Sequence, residues 1–173
     1  MSGIHGPLTG ITIVDLTRVM SGPYATMLLS ELGARVIKVE EPGRGDDARY
    51  YGPFIQGRPC YFNSINRNKE SIALNLRDAG DRAIFESMLE GADVLAENFR
   101  PGVMEKLGYG WDEIHARFPK IIFASVSGYG QTGPESHKPG YDMVMQGVTG
   151  MMSITGEAGG DFYWWPSPNY GPR

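Results

Sequence analysis

Between residues 11 and 40 the spacing of apolar positions changes twice. Ile11, Ile13 and Val14 form a short apolar run that ends at Asp15, which predicts a strand. Ser21-Gly22-Pro23 then opens a helix. Ser21 suits an N-cap, and a proline in the first turn surrenders an N–H that would be unpaired anyway. Ala25, Leu28, Leu29 and Leu32 recur at helical spacing, and Gly33 suits the position just past the helix end. Arg35–Glu40 reads as a second strand, and Pro42-Gly43-Arg44-Gly45-Asp46 turns the chain away from it. A strand–helix–strand unit this compact implies a parallel pair joined by a crossover helix. In such sheets ligands sit beyond the carboxyl ends of the strands, so both turns are candidate ligand loops.

The pattern continues in kind. Residues 41–68, rich in Gly, Arg, Tyr and Asn, show no sustained period and read as one long loop. Residues 71–76 alternate polar and apolar, a strand. Asp78 caps a helix to about Glu90, with Ala83, Ile84, Met88 and Leu89 inward, and Gly91 stops it. Residues 93–96 form a strand, and 97–102 the loop after it. Helices follow over about 101–107 and 112–117. Residues 120–127, KIIFASVS, are apolar enough to be a central strand of a parallel sheet. Gly128–Pro134 is a loop, and Tyr141 to about Met152 a Met-rich helix. The tail, DFYWWPSPNYGPR, has no period. Together these elements predict an α/β fold: an open, mainly parallel sheet with helices on both faces.

Composition narrows the function classes. At 173 residues with 41% hydrophobic content, the chain is long enough for one domain with its own core. The net charge of −4 comes without any basic block, which argues against nucleic acid as a partner. The lone cysteine, Cys60, excludes an internal disulfide and fits a reducing, cytoplasmic setting. No apolar run approaches the roughly 20 residues that span a bilayer, and MSGIHGPLTG lacks the features of a signal peptide, so no membrane association is expected. His5, His115 and His137 have no ligand spacing, so no metal is expected. Gly43-x-Gly45 lacks a third glycine and follows the second strand, so the dinucleotide fingerprint is not met. The methionines at 143, 145, 151 and 152 read as core or interface filler.

DLTRVMSGPYATMLLSELGARVIKVEEPGRGDDAR (15–49) resembles the opening of a family III coenzyme A transferase. That group includes the formyl-CoA and carnitine CoA-transferases and, as a branch, the α-methylacyl-CoA racemases. YFNSINRNKESIALNL (61–76), ADVLAENFRPGVMEKLGYGW (92–111), ASVSGYGQTGP (124–134) and GYDMVMQGVTGMMSITGE (140–157) extend the likeness from about Pro7 to Gly160. The resemblance implies a Rossmann-like CoA-binding domain, here truncated. Residues 1–160 would be the N-terminal part of the large domain and 161–173 a divergent tail, with the second domain absent. CoA or an acyl-CoA would be substrate, not a tightly bound cofactor, and a carboxylic acid would be the acceptor. Full-length members form interlocked homodimers.

In that family an aspartate attacks the acyl-CoA thioester, giving a mixed anhydride and CoA thiolate. The thiolate returns to form an enzyme thioester, and the acceptor takes CoA through a second anhydride. Glycine-rich loops can stabilise the oxyanions. Counted from Asp142, the nucleophile falls at Gly171, and Asp161 is the only acid after Gly160, either a displaced nucleophile or a turn residue. Asp142 matches an acidic position of both branches or caps the following helix. Tyr141 stands where racemases carry a histidine, which favours the transferase branch. The implied CoA contacts are Val19, Met20, Ser21, Lys38, Leu74, Asn75, Asn98, Phe99, Arg100 and Lys106, with Phe99 suited to adenine and Arg100 to phosphate. Ser21 has an alternative as a helix cap, and Lys38 and Lys106 as solvated side chains. Some members carry an arginine where Glu41 stands. Two readings stay open: a CoA-transferase, and a CoA-binding fragment without a nucleophile.

Overall fold

In the computed structural model, which describes residues 6–156, the chain falls into two units, Met1–Val126 and Ser127–Arg173. The first runs β1 (Thr12–Asp15), α1 (Ser21–Glu31), β2 (Arg35–Glu40), a 3-10 turn (Asp47–Tyr50), the hairpin β3 (Phe54–Ile55) and β4 (Arg58–Pro59), and α2 (Cys60–Asn66). It continues with β5 (Glu70–Ala73), α3 (Ala79–Glu90), β6 (Val94–Glu97), α4 (Val103–Leu107), α5 (Trp111–Arg117) and β7 (Ile122–Ser125). The main sheet has five strands in the order β5-β2-β1-β6-β7. All its pairings are parallel, with Val14 opposite Ile37 on one side and Leu95 on the other. The α/β sheet expected from the pattern is therefore present.

Alternation along the strands makes two apolar layers. Ile13, Ala34, Val36 and Ala96 pack with Leu29 of α1. Val14, Val39 and Leu95 pack with Phe85 and Leu89 of α3, Met104 of α4, Tyr109, and Ile114 of α5. Asp78 caps α3 as expected, accepting from the backbone N–H of Gly80 (2.9 Å) and Asp81 (3.1 Å). Gly33 takes the left-handed conformation (φ 102°) just past α1, as expected.

Several expectations are corrected. Ser21 is not the N-cap of α1; Met20 holds that place, without a side-chain cap bond, and Ser21 is the exposed first residue of the helix. The helix does not pack by its apolar stripe. Leu28 and Leu32 are exposed, as is Tyr24, while Gly22, Pro23, Thr26, Met27 and Ser30 are buried. Small residues let the helix axis approach the sheet, and a Cβ at Gly22 would collide with the Thr17 side chain. In α3 the deepest residues are Phe85 and Leu89, whereas Ala83 and Ile84 are exposed.

The stretch 41–68 is not one loop, because it holds the 3-10 turn, the hairpin and α2. Nor is β7 central: among the described residues it pairs only with β6, and Ile122 is 65% exposed. β1 lies in the middle because the chain steps outward from it to β2 and β5, crosses back from β5 to place β6 on its other side, and steps outward again to β7.

The second unit contains α6 (Asp142–Val148) and a 3-10 turn (Met151–Ile154), separated by Gly150 at φ 81°. The predicted single helix is thus interrupted by a left-handed residue. No residue of α6 is buried, and Met143 and Met151 are about half-exposed, so they do not fill a core within the described residues. No helix among the described residues is long and apolar enough to cross a membrane.

Candidate functional site

Strand order reverses between β1 and β6. At such a reversal the loops leave toward opposite faces of the sheet and a crevice opens beyond the carboxyl ends. The loops after β1 and β6 meet there. The side-chain amide of Asn98 clasps the backbone of Arg18 from both sides: its Oδ1 accepts from the Arg18 N–H (2.7 Å) and its Nδ2 donates to the Arg18 carbonyl (2.8 Å). The next residue, Val19, has φ 67°. A β-branched residue in the left-handed region costs about 1–2 kcal/mol, and such strain persists only where the surroundings impose it. Here they do: the Val19 N–H donates to Asp46 Oδ1 (3.0 Å), on the turn after β2.

Beneath this turn lies a layer of buried charge, built from polar residues at the ends of β1, β2 and β5. Asp15 accepts from the Thr17 N–H (2.9 Å), the Thr17 and Thr26 hydroxyls, and Lys69 Nζ (2.9 Å). Lys38 Nζ donates to the Thr17 carbonyl (2.7 Å) and pairs with Asp46 Oδ2 (2.9 Å). Glu40 takes both arms of Arg49 (2.6 and 2.7 Å), the Asp46 N–H (2.9 Å) and the Ser71 hydroxyl (2.9 Å).

Burial would raise the Glu40 carboxyl, but Arg49, the Asp46 amide and Ser71 outweigh it and hold it at about 2. Burial pushes Lys69 below its ordinary value against the pull of Asp15. Asp15, Glu40 and Asp46 each have three or more donors, which is what makes burial of charge tolerable. The layer is a scaffold: its donors and acceptors are consumed internally, and it fixes the backbone of residues 17–19 that leads to the exposed Met20.

The anticipated residues fall into distinct roles. Met20 is exposed at the end of the loop after β1, beside Val19, and Ser21 is exposed at the first position of α1. Lys38 is only 1% exposed, so the solvated side-chain alternative is corrected: its charge is turned inward to Asp46. Leu74 is buried in the layer beneath α3. Asn75 is exposed, its N–H donating to Asp81 and its side-chain oxygen accepting from the Arg77 N–H. Asn98 spends its side-chain amide on Arg18. Phe99 is half-buried, with the Arg18 guanidinium 5.3 Å from its ring centre. Arg100 and Lys106 are exposed.

Asp142 belongs to the second unit. It is the first residue of α6, not its cap, and its Oδ2 accepts from Gln146 Nε2 (2.6 Å). Asp161 and Gly171 lie outside the described residues.

Arg18, Asp46, Lys69 and Glu97 were missed. Arg18, Asp46 and Glu97 share one signal, a charged residue at the carboxyl end of a strand or on the turn that leaves it, whereas Lys69 stands just before β5 and carries no such mark. Glu97 is buried, accepting from the Phe99 N–H (2.7 Å), and burial pushes its carboxyl up.

The model of CoA-transferase family III matches residues 8–168. The chain belongs to this family. It is 54% identical over 151 residues to acetyl-CoA:oxalate CoA-transferase of Acetobacter aceti, covering 87% of this chain and 39% of that protein. It is 49% identical over 156 residues to succinyl-CoA:glutarate CoA-transferase of Mus musculus, covering 90% of this chain and 36% of that protein. A crystal structure of a CAIB/BAIF family protein from Brucella suis superposes with a TM-score of 0.88 at 37% identity, over 94% of this chain and 44% of that one. The chain thus spans less than half the length of each of these relatives.

Proposed function

We propose that the chain forms the CoA-binding part of a transferase that moves CoA from an acyl-CoA to a carboxylic acid. The observation that carries this reading is the strained Val19 turn, held from two sides at the point where the sheet reverses. In the proposed site Val19, Met20 and Ser21 approach the coenzyme through their backbone, as a helix N-terminus suits phosphate oxygens. Phe99 offers a ring to adenine, and Arg100, Lys106 and Asn75 offer polar contacts. Lys38, Leu74 and Asn98 act from behind, by holding Asp46, the core and Arg18 in place.

In the proposed reaction a carboxylate oxygen attacks the thioester carbonyl, the C–S bond breaks, and CoA leaves as thiolate. The thiolate attacks the enzyme-side carbonyl of the anhydride, which releases the donor acid as carboxylate and leaves an enzyme thioester. The acceptor carboxylate then expels CoA to form a second anhydride, and CoA attacks its acceptor-side carbonyl, freeing the enzyme carboxylate. By similarity to the two named transferases, the acceptor would be a small dicarboxylic acid. The proposed setting is the cytoplasm and the proposed assembly a homodimer.

The test is CoA binding by equilibrium titration, followed by intact mass after incubation with acetyl-CoA and succinyl-CoA, with and without hydroxylamine. Binding plus a hydroxylamine-labile mass gain supports transfer by this chain. Binding without any gain supports a coenzyme-binding portion whose nucleophile lies elsewhere. Absence of binding overturns the proposal.

A further inference from the structure

On the coenzyme reading above, we infer that Arg18 is a phosphate-binding residue of the site and that Glu41 competes with the ligand for it. Arg18 lies on the loop after β1, at the reversal of the sheet. Both of its backbone polar groups are fixed by Asn98 at 2.7 and 2.8 Å, so its side chain leaves from a defined point. Its guanidinium lies over the Phe99 ring at 5.3 Å. A guanidinium resting on an aromatic face keeps its N–H edge available for bidentate contacts, which a lysine ammonium in that place does not.

Among the described residues the one carboxylate near Arg18 is Glu41, at 3.9 Å, and the two side chains are 38% and 57% exposed. A pair so long and so wet is weak and readily exchanged. A phosphate that offers two oxygens is the stronger partner. Nearby arginines are committed differently: Arg49 holds Glu40 with two bonds of 2.6 and 2.7 Å, and Arg44 holds Asp47 at 2.8 Å. The ligand chemistry is a phosphate group, which in CoA is either the 3′-phosphate or the diphosphate.

The test is equilibrium binding of CoA and of dephospho-CoA to the full chain and to Arg18→Gln, Arg18→Lys and Glu41→Gln, each checked for an unchanged thermal melt. Arg18→Gln is expected to weaken CoA by about tenfold or more, and Arg18→Lys to restore only part of that. Glu41→Gln is expected to tighten CoA by about two- to fivefold, the value of a lost exposed competitor. A loss in Arg18→Gln that disappears with dephospho-CoA assigns the 3′-phosphate, and a loss that persists assigns the diphosphate. CoA affinity unchanged in Arg18→Gln overturns the inference and leaves the coenzyme site standing. Absence of CoA binding by the unsubstituted chain overturns both. Glu41 is exposed and outside the buried network, so its variant keeps the test decisive if Arg18→Gln unfolds, and no tightening there also overturns the inference.

Discussion

On the α3 side of the sheet, Val14, Phe85, Leu89 and Leu95 are buried to 0–1% exposure. On the α1 side, at the carboxyl ends of the same strands, Asp15, Lys38 and Asp46 are buried just as deeply. The first layer gains from every methylene removed from water, and its contacts are many, weak and interchangeable. The second gains only while every charge has its partners, and loss of one partner leaves the other stranded. Equal burial therefore means different things. The apolar layer secures the fold, and the charged layer secures one backbone shape, the Val19 turn, at a cost in desolvation.

The sharpest way to break this comparison is by pairs of substitutions. Lys38→Met should destabilise by about 3–5 kcal/mol, because Asp46 keeps its charge and loses its counter-ion. Phe85→Ala should cost about as much, 3–5 kcal/mol, through a cavity. The second change separates the layers. Adding Asp46→Asn to Lys38→Met should recover much of the loss, whereas adding Leu89→Ala to Phe85→Ala should deepen it. Denaturant melts of the four proteins check this, and recovery in neither or both pairs would erase the distinction.

A smaller effect is expected with acid. The folded-state value of Glu40 is depressed from about 4.5 to about 2, so its contribution is full above 4.5 and is lost as pH falls toward 2. Thermal melts across that window should fall more steeply for the unsubstituted chain than for Glu40→Gln. Equal slopes would show that the Glu40–Arg49 pair is not a source of stability.

The smallest effect is expected at Arg35–Glu70, where two bonds of 2.8 and 2.9 Å join side chains that are more than half exposed. Arg35→Ala should change stability by no more than about 1 kcal/mol. A larger loss would mean that geometry alone, without burial, gives an ion pair its strength here.

What was legible in the sequence follows from the same contrast. β2 was placed at its observed ends, and α3 with its Asp78 cap, because local apolar spacing and a local hydrogen bond define them. The loop after β6 was found by the same logic. α1 was read correctly as a helix and wrongly by face, since Gly22, Thr26 and Ser30 pack by being small, and a count of apolar positions does not register that. Lys38 read as a coenzyme contact or a solvated cation, and its buried pairing was not visible, because its partner, Asp46, is set by the path of the chain after β2 and not by spacing. Arg18 went unread for a similar reason: its partners, Asn98 and Phe99, are about 80 residues away. The hairpin and α2 within 41–68 are too short for a period to emerge.

The Asn98 clasp also sets an order of events. It joins residues 80 apart, so the loop after β1 cannot take its shape while the growing chain holds only β1, α1 and β2. Closing so wide a separation is entropically costly and belongs late in folding. The Arg18 amide should accordingly gain protection from hydrogen exchange in step with β6 and not with its own neighbours in sequence, and should lose it whenever β6 opens. The site is thus built on a non-local bond, and a chain that has folded only its first crossover already has Val19, Met20 and Ser21 without the shape that Asn98 imposes on their loop.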